Sequence, residues 1–211
     1  MIEWKLVVET SGPSLQVGLL RNGEIEGGIR WDWPRRQAEY LITVVEQVLA
    51  SSQLHWSDIE GVIYHQGPGS HTGLRIGLAA VKAWALSLGW VVYPVGLMEV
   101  LRVFAQAKGV SAQRLFTFWE SRPASWYGQL WDGEVPLTSP RLAPLAEWEA
   151  LAQGSFWVGN SLKAHLPVWE VQWPMVAEAG LKAKALRQTA EIIALMPLYF
   201  RPFEPNRRKH S

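Results

Sequence analysis

The chain of 211 residues contains no cysteine, which excludes disulfides and any zinc site built on thiolates. Charge is also scarce. Only 18% of the residues are Asp, Glu, Lys or Arg, and the formal net charge is +1. A protein that grips nucleic acid by itself carries a stronger basic bias. No apolar run reaches the roughly 18 residues that suggest a membrane-spanning helix. The opening MIEWKLVVET lacks the basic start, long apolar region and cleavage site of a secretory leader. These absences predict a cytoplasmic protein. Histidines are few: His55, His65, His71, His165 and His210. No two of them stand at i, i+4 and no HExxH occurs, so neither a metal nor another cofactor is expected. There is no GxSxG elbow either.

What is abundant is apolar surface. Hydrophobic residues make up 48% of the chain, and there are 13 tryptophans, which suit large buried surfaces. In the first hundred residues the elements are well separated. WKLVVET (4–10), LQVGLL (15–20) and EIEGGIRW (24–31) read as strands, the last two joined at Asn22-Gly23, a strong hairpin signal. Residues 36–52 read as a helix, 58–66 as a strand, 74–88 as a helix and 91–95 as a strand. Hairpins make antiparallel pairs and helix crossovers make parallel ones. The order therefore predicts an α/β protein with a mixed sheet flanked by helices, the ribonuclease H-like order shared by actin, sugar kinases and Hsp70. Further helices are expected near 97–107, 144–152 and 181–195, with strands near 114–120, 125–131 and 155–159. The expected organisation is an N-terminal lobe over 1–100, a reduced copy of it over 101–198, and a basic tail over 199–211.

The glycine-rich turn QGPGSHTG (66–73) raises a sharper question. A helix N-terminus can hold an anion, and Gly67, Gly69 and Gly73 would let backbone approach phosphate. Ser70 or Thr72 could cap the helix, and Arg75 could add charge. Yet no lysine completes a GxxxxGK[ST] loop. The plainer reading is a structural turn whose glycines supply positive φ, Gly69 among them. Glu9, Thr10 and Ser11 at the end of the first strand form a second candidate anion or nucleotide contact. The plain reading of Glu9 is a carboxylate bonded to turn N–H groups.

The two helices are unusually apolar. In 36–52, Tyr40, Val44, Val48, Leu41, Val45, Ala38, Leu49 and Ile42 fill an arc of roughly 200°, where a surface helix needs about 100°. Helix 74–88 carries only Arg75 and Lys82 as charges. Such helices need cover on more than one side, from a partner or from the chain's own second lobe. A partner surface centred on Tyr40, Val44, Gly77, Ala80, Ala83 and Trp84 is expected.

The stretch QGPGSHTGLRIGLAAVKAWALSLGWVVYPVGLMEVL resembles the signature of the TsaB (YeaZ) family, whose turn is close to GPGSFTGLRIG. VVETSGPSLQVGLL, RRQAEYLITVVEQVL, FWESRPASWYGQLW, FWVGN and MPLYFRP are similar to further family segments in order. The resemblance implies a two-lobed, actin-like fold without catalysis of its own. It implies a scaffold subunit of the complex that places threonylcarbamoyl on adenosine 37 of tRNA. The catalytic partner would be a TsaD-like subunit, joined by a TsaE-like ATPase. A homodimer through the same helices and a weak or indirect tRNA contact are also compatible with it. Glu9, Gln37, His71, Glu120 and Ser121 depart from the family pattern, while Arg122 and Tyr127 keep it. The competing readings are a small kinase or metallopeptidase-like hydrolase of the same fold, or a stand-alone homodimeric binding module.

Overall fold

A computed structural model describes residues 2–32, 36–122 and 124–199. The basic end of the chain, Arg207, Arg208 and Lys209, lies outside the described residues.

Five strands form the first sheet in the order β3-β2-β1-β4-β5. They are β1 (Trp4–Glu9), β2 (Leu15–Arg21), β3 (Glu24–Trp31), β4 (Gly61–His65) and β5 (Val91–Val95). β1 to β3 are antiparallel neighbours, and β4 and β5 run parallel to β1. Asn22 and Gly23 both adopt positive φ (52° and 85°) at the β2–β3 hairpin, as a primed two-residue turn requires. Alternation sorts the side chains of the central strand. Leu6 and Val8 join the core formed with helices α1 (Gln37–Ser51) and α2 (His71–Leu88). Val7 enters the core on the other side.

A second sheet follows in the order β11-β10-β6-β7-β8. Its strands are β6 (Arg114–Arg122), β7 (Ser125–Asp132), β8 (Val135–Pro136), β10 (Phe156–Gly159) and β11 (Leu166–Pro167), while β9 (Arg141–Pro144) pairs with β7. β6 and β7 are antiparallel, and β10 and β11 are parallel to β6. The sense of pairing thus repeats that of the first sheet. Helix α4 (Leu145–Leu151) seats Trp148 on Phe116 of this sheet. The whole is the ribonuclease H-like, actin-like α/β architecture that the element order anticipates.

Two helices lie between the sheets: α3 (Leu97–Ala107) and α5 (Trp173–Gly180). Their buried residues, including Val100, Leu101, Val176 and Ala179, share one core with Val7 and Ile63 of the first sheet and Leu115 and Val158 of the second. The sequence reading missed α5 and expected one helix over 181–195. Instead Leu186 forms a bridge with Val92 at the edge of β5, and only α6 (Thr189–Ala194) is helical there. α5 escapes notice because it is one short run of eight residues entered through Pro174, which looks like a break.

The tryptophans serve the cores. Trp84 and Trp90 are buried beside Trp56 in the first. Trp126 and Trp148 are buried in the cluster on the far face of the second sheet, where Trp126 stacks on Phe118 with centroids 4.2 Å apart.

Candidate functional site

Parallel pairing of β1 with β4 brings the ends of both strands together. Glu9 is fully buried there. Its Oε1 accepts the Ser11 N–H and, at 3.2 Å, the Gly12 N–H. Its other oxygen meets Nδ1 of His65, which is also fully buried. Ser11 Oγ lies 3.1 Å from the same nitrogen. A carboxylate, an imidazole and a hydroxyl are thus gathered, but not as a nucleophile relay. In a relay the serine and the carboxylate address opposite ring nitrogens; here both address Nδ1. His65 Nε2 is buried and makes no hydrogen bond. The plain reading of Glu9 as a carboxylate satisfying turn amides matches this geometry. His65 is a functional-looking residue that the sequence reading names only among the histidines without metal-ligand spacing. Glu9 and His65 stand 56 residues apart, and only the strand pairing unites them.

The glycine turn meets this cluster from the other side. Ser70 N–H donates to Ser11 O at 2.8 Å. Ser70 is the N-cap of α2, its Oγ accepting from Gly73 N–H at 3.2 Å, so α2 begins at His71, three residues earlier than expected. Thr72 in its first turn and Arg75 at the start of its second are exposed. Positive φ is needed at Gly67 (99°), not at Gly69. Gly69 is small for another reason: a Cβ there would lie 2.6 Å from Ser11 Cβ. At Gly73 a Cβ would sit 1.9 Å from Thr10 O, and at Gly77 it would sit 2.4 Å from Thr10 Oγ1. Gly73 and Gly77 stand one turn apart on the same face of α2, and Gly69 lies in the turn just before it. The glycines let α2 press directly on the turn that follows β1.

Tyr64 braces the same helix, its buried hydroxyl donating to Leu74 O at 2.6 Å. Burial, followed by the Glu9 charge, holds this phenol well above the ordinary tyrosine value of 10.0. Its folded pKa is raised, so the stability it contributes is complete below about pH 10 and is lost above it. Alkaline unfolding followed by circular dichroism should therefore begin above about pH 10. Tyr64→Phe should flatten that limb and cost about 1 kcal/mol at pH 7 for the lost hydrogen bond.

The helix faces correct the expected partner surface. Val44 is fully buried, Gly77 faces Thr10 and Tyr64, and Trp84 packs on Trp56 and Trp90 at 5.5 and 5.8 Å. These three belong to the chain's own core because the inward stripe of each helix already contains them. Tyr40 is half-buried and stacks on Trp31 at 5.4 Å. Ala80 is half-buried and Ala83 exposed. The outward face instead presents Ile42, Ala79, Ala83 and Leu86, with Ile76 half-buried at its edge.

One flank of α2 is covered from within, by a segment absent from the sequence reading of this surface. Ile192 of α6 is buried against the α1–α2 core, and Lys82 Nζ donates to Ile193 O at 2.6 Å. Leu198 N–H then donates to Gln66 O at 2.7 Å, and Tyr199 stacks on His71 at 4.2 Å. Ile193 and Met196 remain exposed on the outside of this strap. Among the described residues, no group of three or more His, Asp or Glu could hold a metal ion. No described helix is long and apolar enough to cross a membrane.

Comparison with known proteins gives these features a context. The family model for TsaD, tRNA N6-adenosine threonylcarbamoyltransferase, matches residues 32–113. An uncharacterized protein of Mycobacterium tuberculosis is 32% identical over 98 residues, which is 46% of each chain. The tRNA threonylcarbamoyladenosine biosynthesis protein TsaB of Escherichia coli is 30% identical over 81 residues, 38% of this chain and 35% of that one. The matched part thus spans less than half the length of these curated relatives. Among solved structures, YeaZ of Pseudomonas aeruginosa superposes with a TM-score of 0.70 at 20% identity, over 93% of this chain and 99% of that one. In fold the chain is YeaZ-like, and over 81 of its residues it is a sequence relative of the TsaB protein of Escherichia coli.

Proposed function

We propose that this chain is a partner subunit in the biosynthesis of threonylcarbamoyladenosine in tRNA, without catalysis of its own, and that it pairs with a TsaD-like subunit through α1 and α2. One observation carries the reading. The stretch matched by the TsaD model, residues 32–113, contains both helices whose outer faces expose Ile42, Ala79, Ala83 and Leu86. Two chains that share a lobe share its surfaces, and related surfaces can meet across a pseudo-twofold axis as identical ones do in a dimer. The small residues of α2 would let a facing helix approach closely. A TsaE-like ATPase would join this pair, and a homodimer through the same face would form when the partner is absent. Contact with tRNA would be indirect or through the basic tail.

The kinase or hydrolase alternative draws no support from the cluster at Glu9, whose carboxylate is committed to turn amides and His65. The purified chain is expected to hydrolyse neither ATP nor peptides above background. Saturable turnover that disappears in Glu9→Gln would reverse the assignment. Affinity purification of the tagged chain from its own cell should recover a TsaD-like protein in near-stoichiometric amount. Recovery of the chain alone, or only of itself, would favour the stand-alone homodimeric module.

A further inference from the structure

The segment between β11 and α5 makes contacts out of proportion to its length. Gln16 in β2 is almost fully buried, and both ends of its amide reach this segment or the first residue of α5. Gln16 Nε2 donates to Val171 O at 3.1 Å and to Ser14 Oγ at 2.9 Å, and Gln16 Oε1 accepts from Trp173 N–H at 3.1 Å. Ser14 Oγ donates to Glu170 Oε1 at 3.0 Å, and Arg30 of β3 pairs with the other Glu170 oxygen at 2.9 Å. The Trp173 ring then fills a notch in the first sheet. A Cβ at Gly18 would lie 2.0 Å from the ring and one at Gly28 2.6 Å from it. Gly18 of β2 and Gly28 of β3 are the floor of that notch. Beyond it, Gly180 lets α5 rest on Ile63, where a Cβ would be 2.2 Å away.

We propose that residues 170–173 are an interlobe latch: Glu170 and the 171 and 173 backbone groups hook Ser14, Gln16 and Arg30, and Trp173 wedges the hook in place, so that the two sheets keep one fixed arrangement. Enzymes that close around a ligand hinge two lobes between open and shut states. Such a hinge here would have to strand the buried Gln16 amide and withdraw an indole from its notch, both costly steps. The latch also brings Glu170 Oε1 within 4.0 Å of the Gly12 Cβ position. The Thr10–Ser14 turn is therefore faced by a carboxylate from the other half of the chain, as well as closed from within by Glu9. This inference stands apart from the identity of the partner and would hold for any function of the chain.

Hydrogen exchange of the full chain, read by mass spectrometry, tests it. Peptides covering 10–18 and 169–176 should exchange together, and no faster than the β6–β7 hairpin. Gln16→Leu should speed both peptides at least tenfold while leaving the 115–131 peptide within twofold. Glu170→Gln, on a partly exposed side chain, should move the same two peptides in the same direction by about threefold if Gln16→Leu fails to fold. Rapid exchange of 169–176 in the unaltered chain would overturn the latch. So would a substitution at either site that accelerates 115–131 as much as 169–176.

Discussion

Gly73→Val is expected to lower the melting temperature by roughly 6–12 °C, the equivalent of about 3 kcal/mol in a chain of this size. The cause is steric. The added Cβ would lie 1.9 Å from the Thr10 carbonyl oxygen, a backbone atom that cannot swing aside as a side-chain tip can. Either α2 or the turn after β1 must move, and moving either disturbs the Ser70–Ser11 hydrogen bond and the bonds around Glu9. Overpacking of this kind typically costs 1–3 kcal/mol, and more where backbone is struck. Two controls bracket it. Gly27→Ala, in open space within β3, should stay within about 0.5 kcal/mol. Gly89→Ala, with φ of 74° at the end of α2 and nothing near its Cβ position, should cost about 1 kcal/mol through backbone strain alone. Thermal denaturation of the three variants orders them. A Gly73→Val melting temperature matching that of Gly27→Ala would mean that α2 does not press on the turn as described.

Ala83→Arg should leave the fold intact and weaken partner binding at least 100-fold, or about 2.8 kcal/mol. Ala83 is exposed, in the outward row with Ala79 and Leu86, so an arginine there projects into solvent in the free chain. Against a closely packed helix it would have no room and would bury an unpaired charge. Ala80 is a less informative site. It is half-buried and packs against the chain's own core, so Ala80→Arg would confound binding with stability. Trp84→Ala would be worse as a probe. It removes a buried indole from the Trp56–Trp90 cluster and should cost about 3–5 kcal/mol of stability. Circular dichroism would check the fold of Ala83→Arg, and titration calorimetry its affinity. Wild-type affinity in a folded Ala83→Arg chain would remove this face from the partner surface.

Much of the architecture was legible because local signals agreed. The alternation in LQVGLL, the Asn22-Gly23 turn and the apolar stripe Leu41, Val44, Val45, Val48 each specify one element, and with their neighbours they give the succession of strands and helices that builds the first sheet. The site was harder to read. Glu9 and His65 carry no common spacing, and a histidine after a strand looks the same whether buried or solvated. The role of Gly69 was misassigned because sequence alone cannot separate a glycine kept for φ from one kept for close approach. The helix wheels showed excess apolar surface but not which part the chain covers itself. Trp84 proved to face inward, and the strap ending at Tyr199 covers a flank of α2 from 111 residues away. α5 was invisible because a Trp-Pro start and eight residues resemble a loop.

The central claim is that the outward face of α1 and α2 exists to hold a TsaD-like chain. Light scattering coupled to size exclusion, on this chain mixed with the TsaD-like protein of the same cell, tests that most directly. The account expects a one-to-one complex that replaces both free species and is lost with Ala83→Arg. Two separate peaks at micromolar concentrations, or a complex that Ala83→Arg leaves unchanged, would contradict it.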